Sequence, residues 1–537
     1  MSMSKFTDLL AWVDEEKRAE EVPMHERHAD IFVNTPLFSA AVDKFVHSQL
    51  PKTETASGLI PHYGLLGIRE EPTTGSASAE DRLVLSNMNM PWSAFICGSQ
   101  GAGKSHTLSC LLENALLVNH ASTEKPNLLT AMVMHYDRYA SHNSSQVCEA
   151  AYLCSSGIPV TVLVSPSNIW AMHRLYSNLP GLPPASPPPK VFPLYLDEDQ
   201  LDISRILRLM AVNPDSKNPP LYMEVIMNLV RGMAMTGRRF TYSKFRAELD
   251  KIKWLQGQKG PLALRLQLLD TMIKPSSKTA TPRPAPAPED IWAFKPGTLT
   301  IIDLSDPFLG SDDACTLFSI CLSIFLENRS KCGRVVVLDE AHKFLTQTGE
   351  AQILTDDLLS IIRQQRHTGT RVIIATQEPT LSPSLLDLSN ATFVHRFVSP
   401  SWYEMLKRHL AGADKLDRGG TNVLFETIVG LQTGEALLFC PTAQIDTRQA
   451  EDNSEQTMKP LGDSYVRLKI RKRITSDGGK SIMASDVSAD VPVHKPVGGV
   501  PMFGGPGEPK KRLFRYQIRM KQENKGKKKK KKGKKKA

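Results

Sequence analysis

The sequence predicts an α/β fold: a parallel sheet with helices on both faces, a helical insertion and a disordered basic C-terminal tail. Three observations lead there. The run Ser93-Ala94-Phe95-Ile96-Cys97 leads straight into a glycine-rich loop and an amphipathic stretch. A second run, Val335-Val336-Val337-Leu338, ends in two carboxylates. Further apolar runs at 128–137, 159–164, 297–304 and 371–376 alternate with longer segments. Short continuous apolar runs suit strands covered on both faces.

The loop reads Gly98-Ser99-Gln100-Gly101-Ala102-Gly103-Lys104-Ser105, followed by His106, with the G-x-x-x-x-G-K-S spacing of a phosphate loop. Glycines let the backbone turn tightly, so successive N–H groups point at phosphate oxygens. A helix is expected from about Lys104, and its N-terminus favours negative charge. Leu108, Leu111, Leu112 and Leu116 fall on one face of it. Lys104 is expected to reach the β- and γ-phosphates of ATP, and the Ser105 hydroxyl to ligate Mg²⁺. The fold class is thereby a P-loop NTPase of the RecA/ASCE type.

Asp339 and Glu340 follow the second apolar run. Ligands of open α/β sheets bind at the carboxyl ends of the strands. Asp339 is therefore expected to hold Mg²⁺ through water, and Glu340 to orient and deprotonate the attacking water. Gln377 ends the run Arg371–Thr376. It is positioned to sense the γ-phosphate or place the water, or else to cap the next turn. Arg363 and Arg366, three apart, share one helix face. Arg366 is read either as an arginine finger for a neighbouring subunit or as part of a solvated basic face.

At 537 residues and 41% hydrophobic composition, the chain has room for one large domain with an insertion, or for two to three domains. No run of 18 apolar residues predicts a membrane span, and residues 1–21 lack the apolar centre of a secretion signal. Eight cysteines form no C-x-x-C pair, which fits reduced core thiols in a nuclear or cytoplasmic protein. His25 and His28 read as surface residues. The net charge of +10 belongs to the tail: from Lys510 onward there are sixteen Lys or Arg and one Glu, so the rest of the chain carries −5. The lysine run 527–536 attracts polyanions without reading sequence. Pro509-Lys510-Lys511-Arg512 looks like a nuclear import signal.

Along the chain, residues 1–90 give no clear element pattern beyond a short helix at 6–18. The nucleotide core is expected over 91–175. A Pro-rich loop and helical insertion follow over 176–275, with apolar stripes at Ile203, Ile206, Leu207, Met210 and at Leu262, Leu266, Leu269, Ile273. A Pro/Ala-rich linker spans 276–296. The core resumes over 297–450, with its last strand at Gly434–Phe439, and 451–537 reads as a disordered tail.

Taken together, these pieces resemble the HerA/FtsK superfamily of P-loop ATPases, most closely its HerA branch. The resemblance rests on Gly98–Ser105, Ile301-Ile302-Asp303-Leu304-Ser305, Val337–Leu345, Arg363–Arg366, Ile374–Pro379 and Gly434–Leu437, with His135-Tyr136-Asp137 a weaker echo. It covers residues 90–175 and 297–442. It implies a hexameric ring that hydrolyses ATP and pumps duplex DNA. No N-terminal β-barrel of the HerA kind is visible in the sequence, and the tail is outside the family pattern. Asp339-Glu340-Ala341-His342 also spells the box of superfamily 2 helicases, but too little chain follows for their second motor domain. The expected function is an ATP-driven motor on DNA, held through its body and its tail. The alternative is an ATP-dependent switch or scaffold tethered to nucleic acid by the tail. A small-molecule kinase fits less well, because no arginine-rich lid lies near the core.

Overall fold

A computed structural model describes residues 24–50, 58–70, 78–118, 127–138, 146–209, 221–254, 256–273, 290–327, 332–346, 348–410, 413, 423–449 and 456–476. The expected helix at 6–18, most of the linker at 276–296 and the lysine-rich tail lie outside the described residues. No helix among the described residues is long and apolar enough to cross a membrane.

Among the described residues fifteen strands make one sheet. In chain order they are β1 (Leu37–Ser39), β2 (Tyr63–Arg69), β3 (Leu83–Asn87), β4 (Ser93–Cys97), β5 (Thr130–His135), β6 (Val160–Val164), β7 (Lys190–Pro193), β8 (Leu299–Asp303), β9 (Arg334–Leu338), β10 (Thr370–Thr376), β11 (Ala391–Val394), β12 (Glu435–Phe439), β13 (Gln444–Gln449), β14 (Gln456–Pro460) and β15 (Val466–Ile470). Their spatial order is β14-β13-β1-β3-β2-β15-β12-β11-β4-β10-β9-β5-β8-β6-β7. From β11 to β7 every pairing is parallel. This is the half that the continuous apolar runs predict, since a parallel strand is covered on both faces.

Alternate residues of these strands enter two separate cores. Phe95 and Cys97 of β4, with Met132 and Met134 of β5, face one of them. Ala94 and Ile96, with Ala131 and Val133, face the other. The first core is covered by the helices of the insertion and by Ser311–Glu327 and Gly349–Arg363. The second is covered by the helix Lys104–Leu116 and by Ile169–Ser177. Strand period and helix stripe thus meet on each face, as the fold class requires.

Four expectations change. The Pro-rich loop ends in a strand, because Val191 and Phe192 of β7 bury against β6. The N-terminal region, which gives no clear pattern in sequence, contributes β1, β2 and β3, an antiparallel group in which β1 is wholly buried and β2 and β3 mix buried with half-buried residues. His28 is buried against the ring of Phe45 at 5.4 Å. The fold also runs past residue 450. Strand β15 alternates Leu468 and Ile470 inward with Arg467 and Lys469, and pairs antiparallel with β12 and β2. Its charged half gives it the composition of a solvated tail.

Beyond β15, residues 471–476 strap across the helix Lys104–Leu116. The Glu113 carboxylate, fully buried, accepts from Arg471 Nη1 at 2.7 Å, Thr475 N at 2.9 Å and Thr475 Oγ1 at 2.6 Å. Burial alone raises a carboxyl pKa; here the Thr475 bonds and Arg471 outweigh it and hold Glu113 below its ordinary value. Such an anchor needs an ordered partner segment, so 471–476 belongs to the folded body. Seven of the eight cysteines are buried free thiols, as expected of core thiols.

Candidate nucleotide site

The register of the central strands brings the predicted residues together. Cys97 pairs with Thr376, and Ile374 with Leu338, so Gly98, Gln377 and Asp339 all leave the sheet at its carboxyl edge. Strand β10 lies between the phosphate-loop strand and the acidic strand.

The loop from Gly98 to Gly103 is built around left-handed glycines. Gly98 has φ 151° and Gly103 φ 113°. A Cβ on Gly98 would sit 2.7 Å from His395 Cβ, and one on Gly103 would sit 3.0 Å from Gly434 N, so both positions exclude a side chain by space as well as by φ. Ser99 is tied to the chain after β11: its N–H and its hydroxyl both donate to the Arg396 carbonyl, at 2.9 and 2.8 Å. The helix starts at Lys104 with no side-chain cap on Gly103. Its first N–H groups are left for a ligand, and the helix field favours an anion there.

Lys104 is only 5% exposed and donates from Nζ to the Ser99 carbonyl at 3.1 Å. Burial pushes its pKa down, while Glu340 and Asp339 support the charge. A buried ammonium beside an uncapped helix start suits phosphate oxygens. Gln100 and Gly101 are at the solvent-facing top of the loop, Ala102 is buried, and His106 Nε2 contacts the Arg471 carbonyl at 2.8 Å.

Asp339 and Glu340 are both buried. The Asp339 N–H donates to the Met134 carbonyl at 3.0 Å, fixing the carboxylate beside His135 Nδ1 at 3.6 Å and Cys148 Sγ at 3.8 Å. Burial works against a charge on His135, but Asp303 and Asp339 on the flanking strands raise its pKa to about 9. The imidazole flanks the Asp339 carboxylate, where a charge on the ring steadies it. Ser105 and Asp339 offer the hydroxyl and carboxylate oxygens that Mg²⁺ takes. They fit that ion.

Glu340 is the one non-glycine described residue with positive φ, at φ 51° and ψ 43°. Its Oε2 accepts from Gln377 Nε2 at 2.9 Å and lies 3.4 Å from His342 Nδ1. A non-glycine residue in this region costs free energy and persists where the surroundings force it. The carboxylate is held beside Lys104 rather than free to swing out.

Sequence reasoning missed two residues. His395 fills the space behind the loop: Nδ1–H donates to the Glu435 carbonyl at 2.8 Å, and the Thr107 hydroxyl donates to Nε2 at 2.9 Å. Burial drives its pKa down to about 4, so it is neutral. Glu149 faces the Ser105 hydroxyl and accepts from Arg473 Nη1 at 2.6 Å; burial raises its pKa against the pull of Arg473. Neither carries a local sequence signal, because their partners lie forty or more residues away, Thr107 and Arg473 hundreds.

Arg366 is not brought to this site. It is exposed on the short helix Gln365–Thr368, which precedes the amino end of β10, whereas Gln377 follows the carboxyl end.

No family model and no curated protein matches the chain. Among solved structures, VirB4 of Thermoanaerobacter pseudethanolicus is 13% identical over 76% of this chain and 96% of that one, with a TM-score of 0.38. The bacterial conjugative coupling protein TrwB, solved in complex with sulphate, is 13% identical over 77% and 96%, at 0.34. The genome packaging NTPase B204 of Sulfolobus turreted icosahedral virus 2, in complex with ATP-gammaS, is 16% identical over 33% and 72%, at 0.21. The chemistry of the site is carried by its own geometry.

Proposed function

We propose that this chain is an ATP-hydrolysing motor of the HerA/FtsK kind that acts on DNA. The observation that carries the reading is the Glu340–Gln377 pair, a strained buried carboxylate fixed next to Lys104 at the mouth of a phosphate loop. A protein that only binds nucleotide has no need of such a base.

The loop N–H groups and Lys104 bind the triphosphate and neutralise charge on its β- and γ-oxygens. Ser105 and, through water, Asp339 would hold Mg²⁺, which would supply further charge neutralisation. Glu340 accepts the proton of the attacking water, and Gln377 keeps the carboxylate turned toward it. Arg366, exposed and remote from its own site, serves a neighbouring subunit in a homo-oligomeric, hexameric ring. DNA is held by the motor body and by the lysine-rich tail. The import-like segment at 509–512 favours a nuclear or cytoplasmic location.

The test is ATP binding and turnover with and without duplex DNA, in wild type and Lys104→Ala. Turnover stimulated by duplex DNA, with binding lost in Lys104→Ala, is expected. Binding without turnover under any condition would leave the alternative, an ATP-dependent switch or scaffold tethered by its tail. Undiminished nucleotide affinity in Lys104→Ala would overturn the site.

A further inference from the structure

The amino edge of the sheet holds a pocket of about 790 Å³, opposite the edge that carries the nucleotide site. Its walls are the segments that lead into β2, β4, β5, β8, β9 and β10. The helix Lys104–Leu116 separates the two sites, and its 13 residues span roughly 20 Å. The volume falls in the range of small-molecule sites.

Arg371 of β10 lines this pocket and is 4% exposed. Its Nη2 donates to the Met88 and Asn89 carbonyls at 2.6 and 2.8 Å, and its Nη1 to the Gly369 carbonyl at 3.3 Å. Its Nε has no partner. Among the described residues no carboxylate pairs with it, and the pocket wall contains no Asp or Glu. Burial lowers the guanidinium to about 10, so it stays charged at neutral pH. A buried charge met only by neutral dipoles is costly, and an anion entering the pocket offsets that cost. The remaining wall includes His62, Asn89, Asn127 and Cys332 beside the apolar Pro91, Leu128, Leu129 and Pro296, and burial, with Arg371 nearby, holds His62 below its ordinary pKa. That mixture suits a ligand with an apolar body.

We propose that this pocket is a second ligand site, for a small amphipathic anion: a carboxylate or phosphate monoester on an apolar body, held by the field of Arg371. The site is independent of the nucleotide reading, and the test keeps them apart. The full chain carrying Lys104→Ala, which silences the phosphate loop, is titrated with phenyl phosphate, benzoate, inorganic phosphate and benzyl alcohol. Calorimetry and melting temperature are read. Saturable binding of phenyl phosphate and benzoate is expected, with weaker binding of inorganic phosphate and none of benzyl alcohol. Arg371→Gln should abolish it. Because that variant removes three backbone contacts and can fail to fold, Asn89→Asp is the second arm. Its carboxylate beside the guanidinium should raise the ligand-free melting temperature and weaken phenyl phosphate by about tenfold or more. No saturable binding, benzyl alcohol binding as tightly as phenyl phosphate, or undiminished affinity in Asn89→Asp would each overturn the proposal.

Discussion

Gln377 Nε2 donates to Glu340 Oε2 at 2.9 Å, joining the ends of two adjacent parallel strands, β10 and β9. The amide fixes the direction of a carboxylate whose own backbone sits at φ 51°. Glu340→Gln should keep ATP binding while turnover falls by roughly 10² or more, since the base is lost and the phosphate contacts are not. Gln377→Ala leaves the base but frees its orientation, so a smaller fall in kcat is expected. Single-turnover hydrolysis and equilibrium nucleotide binding measure both. Equal loss of binding and turnover in Glu340→Gln would make Glu340 a structural residue.

Arg366 sits at the opposite end of β10 from Gln377. Within one chain it cannot reach the γ-phosphate, so any catalytic part is played in a neighbour's site. Arg366→Ala should lower turnover and leave nucleotide binding nearly intact. Mixing Arg366→Ala with Glu340→Gln subunits, each inactive alone, should restore part of the activity. A confirmed mixed oligomer with no rescue would leave Arg366 on a solvated basic face.

The central strands and the phosphate loop were legible because their signals are local. Val335–Leu338 is an unbroken apolar run, and the loop glycines sit at fixed spacing before Lys104. The left-handed backbone of Glu340 has no such mark, since nothing in Asp339-Glu340-Ala341 differs from an ordinary strand end. His395 matters only because β11 pairs with β4, and Arg473 only because the strap after β15 reaches Glu149. Strands β13, β14 and β15 carry polar residues at alternate or most positions, so composition reads them as solvated chain. Pairing partners far away in sequence supply the burial that their own residues do not announce.

The neutral His395 makes stability depend on pH. Its folded pKa is about 4, against an unfolded value of about 6.5. Between those values the unfolded chain binds the proton and the folded one does not. Stability is therefore complete above about pH 6.5 and falls as the pH drops toward 4, by roughly 3 kcal/mol at most. Urea unfolding of wild type and His395→Asn between pH 7 and pH 4 isolates this part from the carboxylates that titrate in both. Wild type should lose more stability than the variant over that interval. Parallel losses would mean that His395 is protonated in the folded protein.

The tail prediction rests on charge. Removing residues 510–537 takes the chain from +10 to −5, because the segment carries sixteen Lys or Arg and one Glu. Non-specific affinity for duplex DNA should drop, and so should the steepness of its salt dependence. Full engagement of sixteen cations would give a slope near about −14, at about 0.9 per neutralised phosphate, and partial engagement proportionally less. ATP binding should not change, since Lys104, Ser105 and Asp339 all lie in the folded body. Fluorescence anisotropy on a labelled duplex, at several salt concentrations, reads both quantities. If truncation alters neither affinity nor slope, the DNA is held by the motor body, and the lysine run is an address or a solubility device.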